Sequence, residues 1–392
     1  MQDIGMSDPR RPATDRPARR LRAGMVGGGQ GAFIGSVHRT AVELDGQAQV
    51  VAGALSSRAD IARESAAAWF LERAYSSYSE MAVAEAAARE GIDFVIIATP
   101  NDLHFPVAKA FISAGIHVVC DKPLGVSVEE GQQLVKLVES GTRLFALTHN
   151  YTGYPAVRQA REMVRGGELG EIRKVMVEYT QDWLTEAVEE RGNKQALWRT
   201  DPARAGLAGC VGDIGSHAAN LLEFVTDRQI ESLCADLATW VPRRRLDDDG
   251  NILLRLSGGP RGTLVCSQVA CGEENRLSIR VYGSRAGLEW HQEDPSTLLY
   301  KRAGKPWSRL RTGHGYLSAA ARAASRLPPG HPEGYLEAFA NLYRDFMRDV
   351  RAVAAGEPTL RSYPGVQAGL RGLRFIAAAV ESSRAGAVWR DV

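Results

Sequence analysis

The sequence predicts an α/β fold in two parts. A doubly wound parallel sheet comes first, and an α+β domain with a large, open, mainly antiparallel sheet follows. Three observations carry this. A glycine cluster, Gly27-Gly28-Gly29-Gln30-Gly31, separates an apolar strand-like run from a helix-like run. Short apolar runs then alternate with helix-like stretches as far as residue 150. Beyond that, longer runs alternate polar and apolar residues and are joined by short turns.

The chain has 392 residues, more than one ordinary domain needs. Residues 1–20 are rich in Arg, Pro and Asp and lack the apolar segment of a signal peptide, so they read as a disordered extension. Residues 21–150 form the first domain and 151–392 the second. In the first, residues 22–26, 49–55, 93–99, 117–120 and 144–148 read as strands, with 49–55 and 93–99 of the kind buried on both faces. The stretches to residue 44 and over 59–70, 79–90, 104–114 and 128–140 read as helices. Strands alternating with helices imply βαβ units and a parallel sheet. In the second domain a helix over 154–165 precedes strands at 171–183, 230–241, 250–257, 261–269, 275–282 and 286–291. Gly258-Gly259-Pro260 is a hairpin turn. Two C-terminal helices, 332–355 and 363–384, are expected to supply part of the cover for this sheet.

Composition excludes several function classes. The formal net charge is +2, and no field of one sign argues for nucleic acid or an anionic membrane. The run Arg243-Arg244-Arg245 is followed by Asp247-Asp248-Asp249 and reads as a solvated loop. No apolar stretch approaches the roughly 18 residues that span a bilayer. The five cysteines form no C-x-x-C pair and suggest neither a disulfide framework nor a zinc site, so no metal is expected and a reducing cytoplasm fits.

Gly27-x-Gly29-x-x-Ala32 matches the dinucleotide fingerprint of the Rossmann fold. The first glycine permits a tight turn, the second lets the backbone approach a pyrophosphate, and the small third residue lets helix and strand pack closely. The helix that follows offers free N–H groups to the phosphates, with Gln30, Phe33 and Ile34 beside them. The second strand ends in Leu55-Ser56-Ser57-Arg58, where an NAD site usually carries an acid for the ribose hydroxyls. Two hydroxyls and an arginine suit a 2′-phosphate, which favours NADP over NAD. Ser56 or Ser57 can equally cap the next helix. Thr99-Pro100-Asn101 and His104 follow the third strand, at the sheet edge where ligands bind. Asn101 is a helix cap or a ligand, and His104 can face the cofactor.

Asp121-Lys122-Pro123 directly follows the strand ending at Cys120, and Gly212-Asp213-Ile214-Gly215-Ser216-His217 lies in the second domain. With the fingerprint and Thr99-Pro100-Asn101, these motifs resemble the Gfo/Idh/MocA family of sugar and inositol dehydrogenases, over about residues 21–385. The family usually has Glu-Lys-Pro, so Asp121 is a departure. The second motif, Gly-Asp-x-Gly-x-His, is a full match. The resemblance implies Lys122, Asp213 and His217 as catalytic residues, with Asp121 and Lys122 beside the cofactor. Spacing adds its own logic: Asp213 and His217, four apart, share a helix face. Histidine titrates near working pH and suits a proton acceptor, while lysine stabilises a developing alkoxide.

Tyr151 matches the family's loop after the last strand of the first sheet. Gln181-Asp182-Trp183 and Trp198-Arg199 look like the substrate-facing segments of the levoglucosan dehydrogenase branch, where Trp stacks on sugar rings. Both tryptophans can equally be core or interface residues. His331 either completes the pocket or only precedes a helix. The implied activity is oxidation of a secondary ring hydroxyl of a sugar, anhydrosugar or inositol, by hydride transfer to NADP or NAD. The alternative within the family is a glycoside hydrolase or lyase that oxidises C3 transiently. The substrate is a small neutral carbohydrate or polyol, and family analogy implies a homodimer or homotetramer.

Overall fold

A computed structural model describes residues 19–392. Of the extension expected over residues 1–20, only Arg19 and Arg20 lie within the described residues, and Arg19 holds Asp93 at 2.6 Å. Strands β1 (Leu21–Gly27), β2 (Ala48–Ala54), β3 (Arg73–Ala74), β4 (Phe94–Ala98), β5 (His117–Cys120) and β6 (Phe145–Leu147) form a parallel sheet in the order β3-β2-β1-β4-β5-β6. Helices α1 (Phe33–Glu43), α2 (Ala59–Ala68), α3 (Tyr78–Ala87), α4 (His104–Ser113) and α5 (Val128–Glu139) connect them. Every residue of β4 is buried, as its unbroken apolar run requires when both faces are covered.

The second sheet follows α6 (Pro155–Arg165). It comprises β7 (Ile172–Thr180), β8 (Ile230–Ala238), β9 (Asp249–Leu256), β10 (Arg261–Ser267), β11 (Arg276–Gly283), β12 (Ala286–His291), β13 (Thr297–Arg302), β14 (Ser308–Arg311) and β15 (Arg390–Asp391). Their order is β14-β13-β12-β11-β7-β10-β9-β8-β15. Its pairs are antiparallel except β7 with β10. A parallel pair needs a long crossover. Here it contains α7 (Lys194–Arg199), α8 (Pro202–Ala205), a π turn (Val211–Gly215) and α9 (Ser216–Thr226). The alternation in β9 sends Ile252, Leu254 and Leu256 inward, while Leu253 and Arg255 face out. The inward residues share one core with Val157 of α6, Leu221 and Leu222 of α9, and Phe375, Ile376 and Ala379 of a late helix.

After α10 (Ala319–Ala324), the two long helices α11 (Tyr335–Ala355) and α12 (Val366–Arg384) correct the expectation for the C-terminal region. α12 covers both sheets: its Leu370 and Leu373 join the core of the first sheet, and Phe375 and Ile376 that of the second. α11 instead returns to the first sheet, where Phe339, Leu342, Phe346 and Val350 pack with Val37, Val42, Phe94 and Ile96. Burial of each of these α11 side chains contributes roughly 1.5–3 kcal/mol. The expected solvated run at 243–249 is also corrected. Arg243 and Arg245 are exposed, but Arg244 is 3% exposed and bonds Glu189 at 2.9 Å and the Leu184 carbonyl at 2.6 Å. Asp248 caps the backbone of Trp240 and Val241 at 2.8 and 3.0 Å. None of the helices among the described residues is long and apolar enough to cross a membrane.

Candidate active site

The turn after β1 has Gly27 at φ +78°, where a Cβ would sit 2.6 Å from the Ala98 carbonyl oxygen of β4. Close packing of strand against helix is set by Gly28 and Gly35, not by Ala32 alone. A Cβ on Gly35 would lie 1.9 Å from the Gly28 oxygen. Neither Gly28 nor Gly35 is in the fingerprint as read above. Gln30 donates its backbone N–H to the buried Ser65 hydroxyl, 3.0 Å away. Helix α1 starts at Phe33 with Ala32 at its cap and no capping side chain, so its first N–H groups are free. Beside this turn the Thr99 hydroxyl is buried without a partner. An uncapped helix end, glycines against the strand edge and a spare buried hydroxyl fit a dinucleotide.

At the end of β2, the Ser56 hydroxyl accepts from the Arg58 N–H at 3.1 Å. Neither serine caps α2, whose N-cap is Arg58. The exposed Arg58 guanidinium is held by both oxygens of Asp60, at 2.6 and 3.3 Å. Pro100 precedes a short helical turn at Asn101. Asn101 donates to the Ala205 carbonyl at 3.0 Å, so it joins this loop to α8. His104 is buried behind the loop. Its two nitrogens lie 2.5 Å from the Pro123 oxygen and 3.0 Å from the Thr99 oxygen. Burial lowers its pKa, and a neutral ring donates to only one of these carbonyls at a time. His104 thus braces two loops, with each ring nitrogen set against a backbone carbonyl.

Asp121 also turns inward. It accepts from the Lys122 N–H at 2.8 Å and the Thr148 hydroxyl at 2.9 Å. Its other oxygen lies 3.8 Å from His38, whose second nitrogen meets the Tyr343 hydroxyl of α11 at 2.7 Å. Burial opposes ionisation of Asp121, but His38 and Lys122 outweigh it and hold the carboxyl well below its usual range. The motif's lysine reaches across the cleft: Lys122 Nζ sits 2.8 Å from Asp213 Oδ1 and 2.5 Å from the Asp213 carbonyl oxygen.

Asp213 stands in the π turn rather than in a regular helix, a distortion that recurs at functional sites. The preceding loop is fastened by Asp247, whose carboxylate takes the N–H groups of Gly209 and Val211 at 2.7 Å each. The second oxygen of Asp213 accepts from Arg199 at 3.1 Å and from Gln268 at 2.9 Å. Burial raises the cost of its charge. Lys122 and Arg199 repay it and keep the carboxyl ionised far below the ordinary value. Asp213 therefore bonds Lys122, Arg199 and Gln268, and does not bond His217. The partner of His217 is His149, with the two Nδ1 atoms 3.4 Å apart and the rings nearly perpendicular. Burial, and then Lys122, lowers the pKa of both histidines, that of His149 to about 3.

Around this cluster, Tyr151 lies edge-on to His217 with ring centroids 5.0 Å apart and bonds the Tyr179 hydroxyl. Tyr179 and Gln181 both donate to Asn275, at 2.8 and 2.7 Å, and Trp183 donates to Gln181 at 3.1 Å. Arg199 lies over Trp198 at 4.1 Å and Trp183 at 5.8 Å. Gln181, Trp183, Trp198 and Arg199 are thus brought together with Asp213. His331 is not: it is exposed and approaches only the Pro328 oxygen, at 3.2 Å. Tyr335, four residues later at the start of α11, reaches the site instead, stacking on Phe33 of α1 and lying edge-on to Tyr151, each at 6.4 Å. His149 and Gln268 were missed although Gln268 directly follows β10 and His149 lies two residues past β6, positions that could have drawn notice. Asp247 and Tyr335 carry no local signal. Among the described residues, no three His, Cys, Asp or Glu side chains converge as metal ligands.

Residues 21–149 match the oxidoreductase family with an NAD-binding Rossmann fold, and residues 157–289 match the GFO/IDH/MocA C-terminal domain. An uncharacterized oxidoreductase of Bacillus subtilis, YfiI, is 33% identical over 377 residues, covering 94% of this chain and 96% of the relative. Levoglucosan dehydrogenase of Pseudarthrobacter phenanthrenivorans is 26% identical over 303 residues, 70% of this chain and 74% of that one. An inositol dehydrogenase homolog from Azotobacter vinelandii, crystallised with NAD+, has a TM-score of 0.92 at 36% identity, covering 96% of this chain and 98% of that one. Its complex with NADH and myo-inositol has a TM-score of 0.88 at 35% identity over the same shares. With a parallel sheet in the order β3-β2-β1-β4-β5-β6, a glycine turn at its carboxyl edge and both domains matched, the chain belongs to the Gfo/Idh/MocA family and is a nicotinamide-dependent oxidoreductase acting on CH–OH groups.

Proposed function

We propose that the chain oxidises a secondary ring hydroxyl of a small, neutral polyhydroxylated ring, an inositol or a sugar. The observation that carries this reading is the joining of Lys122, Asp213 and the His149–His217 pair at one cleft, beside a turn fit for a dinucleotide. Lys122 has three N–H donors and uses two on Asp213, which leaves one for a substrate oxygen. Its charge stabilises that oxygen as negative charge develops. His217 is held neutral by burial and by Lys122, so it is ready to accept the hydroxyl proton at neutral pH. A nicotinamide, when bound, supplies the two-electron acceptor. The glycine turn, the α1 N-terminus and Thr99 would hold the dinucleotide. Asn275, Gln181 and Tyr151 gather uncharged polar groups beside the cluster, and Trp183 and Trp198 add aromatic rings packed with Arg199, a setting suited to hydroxyls and ring faces more than to a charged metabolite.

The inositol reading gains support from the Azotobacter vinelandii homolog, whose structure holds myo-inositol. For the cofactor, Arg58 is the group suited to a 2′-phosphate, and Asp60 competes for it. The open face of the second sheet, with Leu253 and Arg255 outward, supports self-association into a dimer or tetramer. The test is a panel of inositols, sugars and anhydrosugars with NAD and NADP, followed by accumulation of reduced nicotinamide. Stoichiometric reduction with one ring polyol is expected. Glycoside cleavage without net reduction would point to the hydrolase of the same family, and no turnover of any polyol would sink the reading.

A further inference from the structure

We propose that His149 is a positioning residue that fixes the tautomer of His217 and takes its Nδ1 proton. The proposal rests on the alcohol oxidation read above. Two ring nitrogens of the same kind face each other, so one must carry hydrogen and the other a lone pair. Both rings are held neutral, which excludes two donors. If His217 is to accept a proton at Nε2, its hydrogen must lie on Nδ1, and His149 must then present a bare Nδ1 and carry its own hydrogen on Nε2. The Nε2 of neither ring bonds another group among the described residues, and the two residues keep 3% and 8% of their surface exposed.

The carboxylate that would ordinarily take this role is elsewhere engaged. Asp213 is bound to Lys122, Arg199 and Gln268. Lys122, Asp121 and Asp213 are the charged groups around the pair, and Tyr151 and Tyr179 are the titratable rings packed on His217. A second neutral imidazole serves because the Lys122–Asp213 pair leaves no spare anion for His217. The step balances as proton movement alone. The substrate O–H bond breaks, an N–H bond forms at His217 Nε2, the Nδ1 hydrogen of His217 passes to His149 Nδ1, and the His149 Nε2 hydrogen is released to solvent.

The experiment is two-part and uses the full chain. Long-range nitrogen–proton NMR of the labelled wild type should show His217 as the Nδ1–H tautomer and His149 as Nε2–H. In His149→Phe the His217 ring should revert toward Nε2–H. Steady-state kinetics over pH should show kcat lowered about 10²-fold in His149→Phe, KM changed by less than about twofold, and the acidic limb of the kcat profile displaced. His149→Asn, whose carbonyl can still accept from Nδ1–H, should recover part of the loss. It also carries the test if the phenylalanine variant fails to fold. An Nε2–H tautomer on wild-type His217 overturns the proposal. So does a rise in KM with kcat and the pH profile intact, which would make His149 a substrate ligand only. If the wild type oxidises no polyol, the functional reading fails, while the tautomers still report whether the pair exists.

Discussion

Lys122 has three N–H groups and commits two to Asp213, a division that makes it both a charged anchor and a donor with one position free. Removing a donor aimed at developing oxygen charge costs about 10²–10³ in kcat. Lys122→Ala should show that loss in steady-state kinetics, with binding of reduced nicotinamide, read by its fluorescence, nearly unchanged; activity within tenfold of the wild type would remove Lys122 from the reacting centre. Asp60 offers a second test. It pairs with Arg58 through an exposed contact, a type of ion pair that shifts equilibria only slightly. Asp60→Ala should therefore raise kcat/KM for NADP relative to NAD by about two- to fivefold. No change in the ratio would take Arg58 out of the ribose subsite. The motifs make Lys122, Asp213 and His217 legible because each lies in a short, characteristic run. The partner of His217 was not legible, since residues 149 and 217 meet only when β6 and α9 are assembled.

The π turn at Val211–Gly215 shows how a local backbone is set from a distance. Its entry is held by Asp247, which lies in the loop before β9 and satisfies two backbone N–H groups. Leaving buried donors unsatisfied costs about 1–3 kcal/mol each. Asp247→Ala should thus lower unfolding stability in urea by roughly 2–4 kcal/mol and reduce kcat as Asp213 loses its place. A variant of wild-type stability would show that the turn holds without that anchor. From the sequence, this acid belongs to a charged run and reads as solvated. Charge density does not reveal that a carboxylate faces a neighbouring loop rather than water. Strand and helix positions in the first sheet were easier to read, because a short uninterrupted apolar run such as Phe94–Ala98, set between helical stretches, suits a strand covered on both faces.

The two sheets share their cover. α11 completes the core against β1 and β4, and α12 bridges both cores, so the nucleotide-binding sheet depends on residues from the far end of the chain. The same tight assembly buries several histidines as neutral rings. Burial, aided by Arg143, lowers the pKa of His117 to about 4, and burial with Lys122 lowers that of His149 to about 3. His104 and His217 are lowered as well. An unfolded histidine takes its proton near about 6.5. The stability tied to these groups is therefore fully present above that value. It is lost as pH falls, through about 4 for His117 and about 3 for His149, by at most ~1.4 kcal/mol per pH unit for each ring. Melting temperature should drop steadily from pH 6.5 toward 4; a flat profile over that range would show that the rings are not buried as neutral bases.

Sequence alone established the alternating path of the first sheet and the glycine turn at its edge, and its motifs named the three residues proposed for the reacting centre. These are local properties: apolar periodicity selects strand or helix, small residues permit a tight turn, and motif spacing travels with the chain. Assembly of the two sheets assigned the partners. It put α11 on the first sheet, set Gly35 against Gly28, brought Tyr335 rather than His331 to the cleft, and gave His217 a histidine in place of Asp213. Such choices depend on which surfaces meet once the core closes, and residues far apart in sequence carry no periodic trace of that meeting.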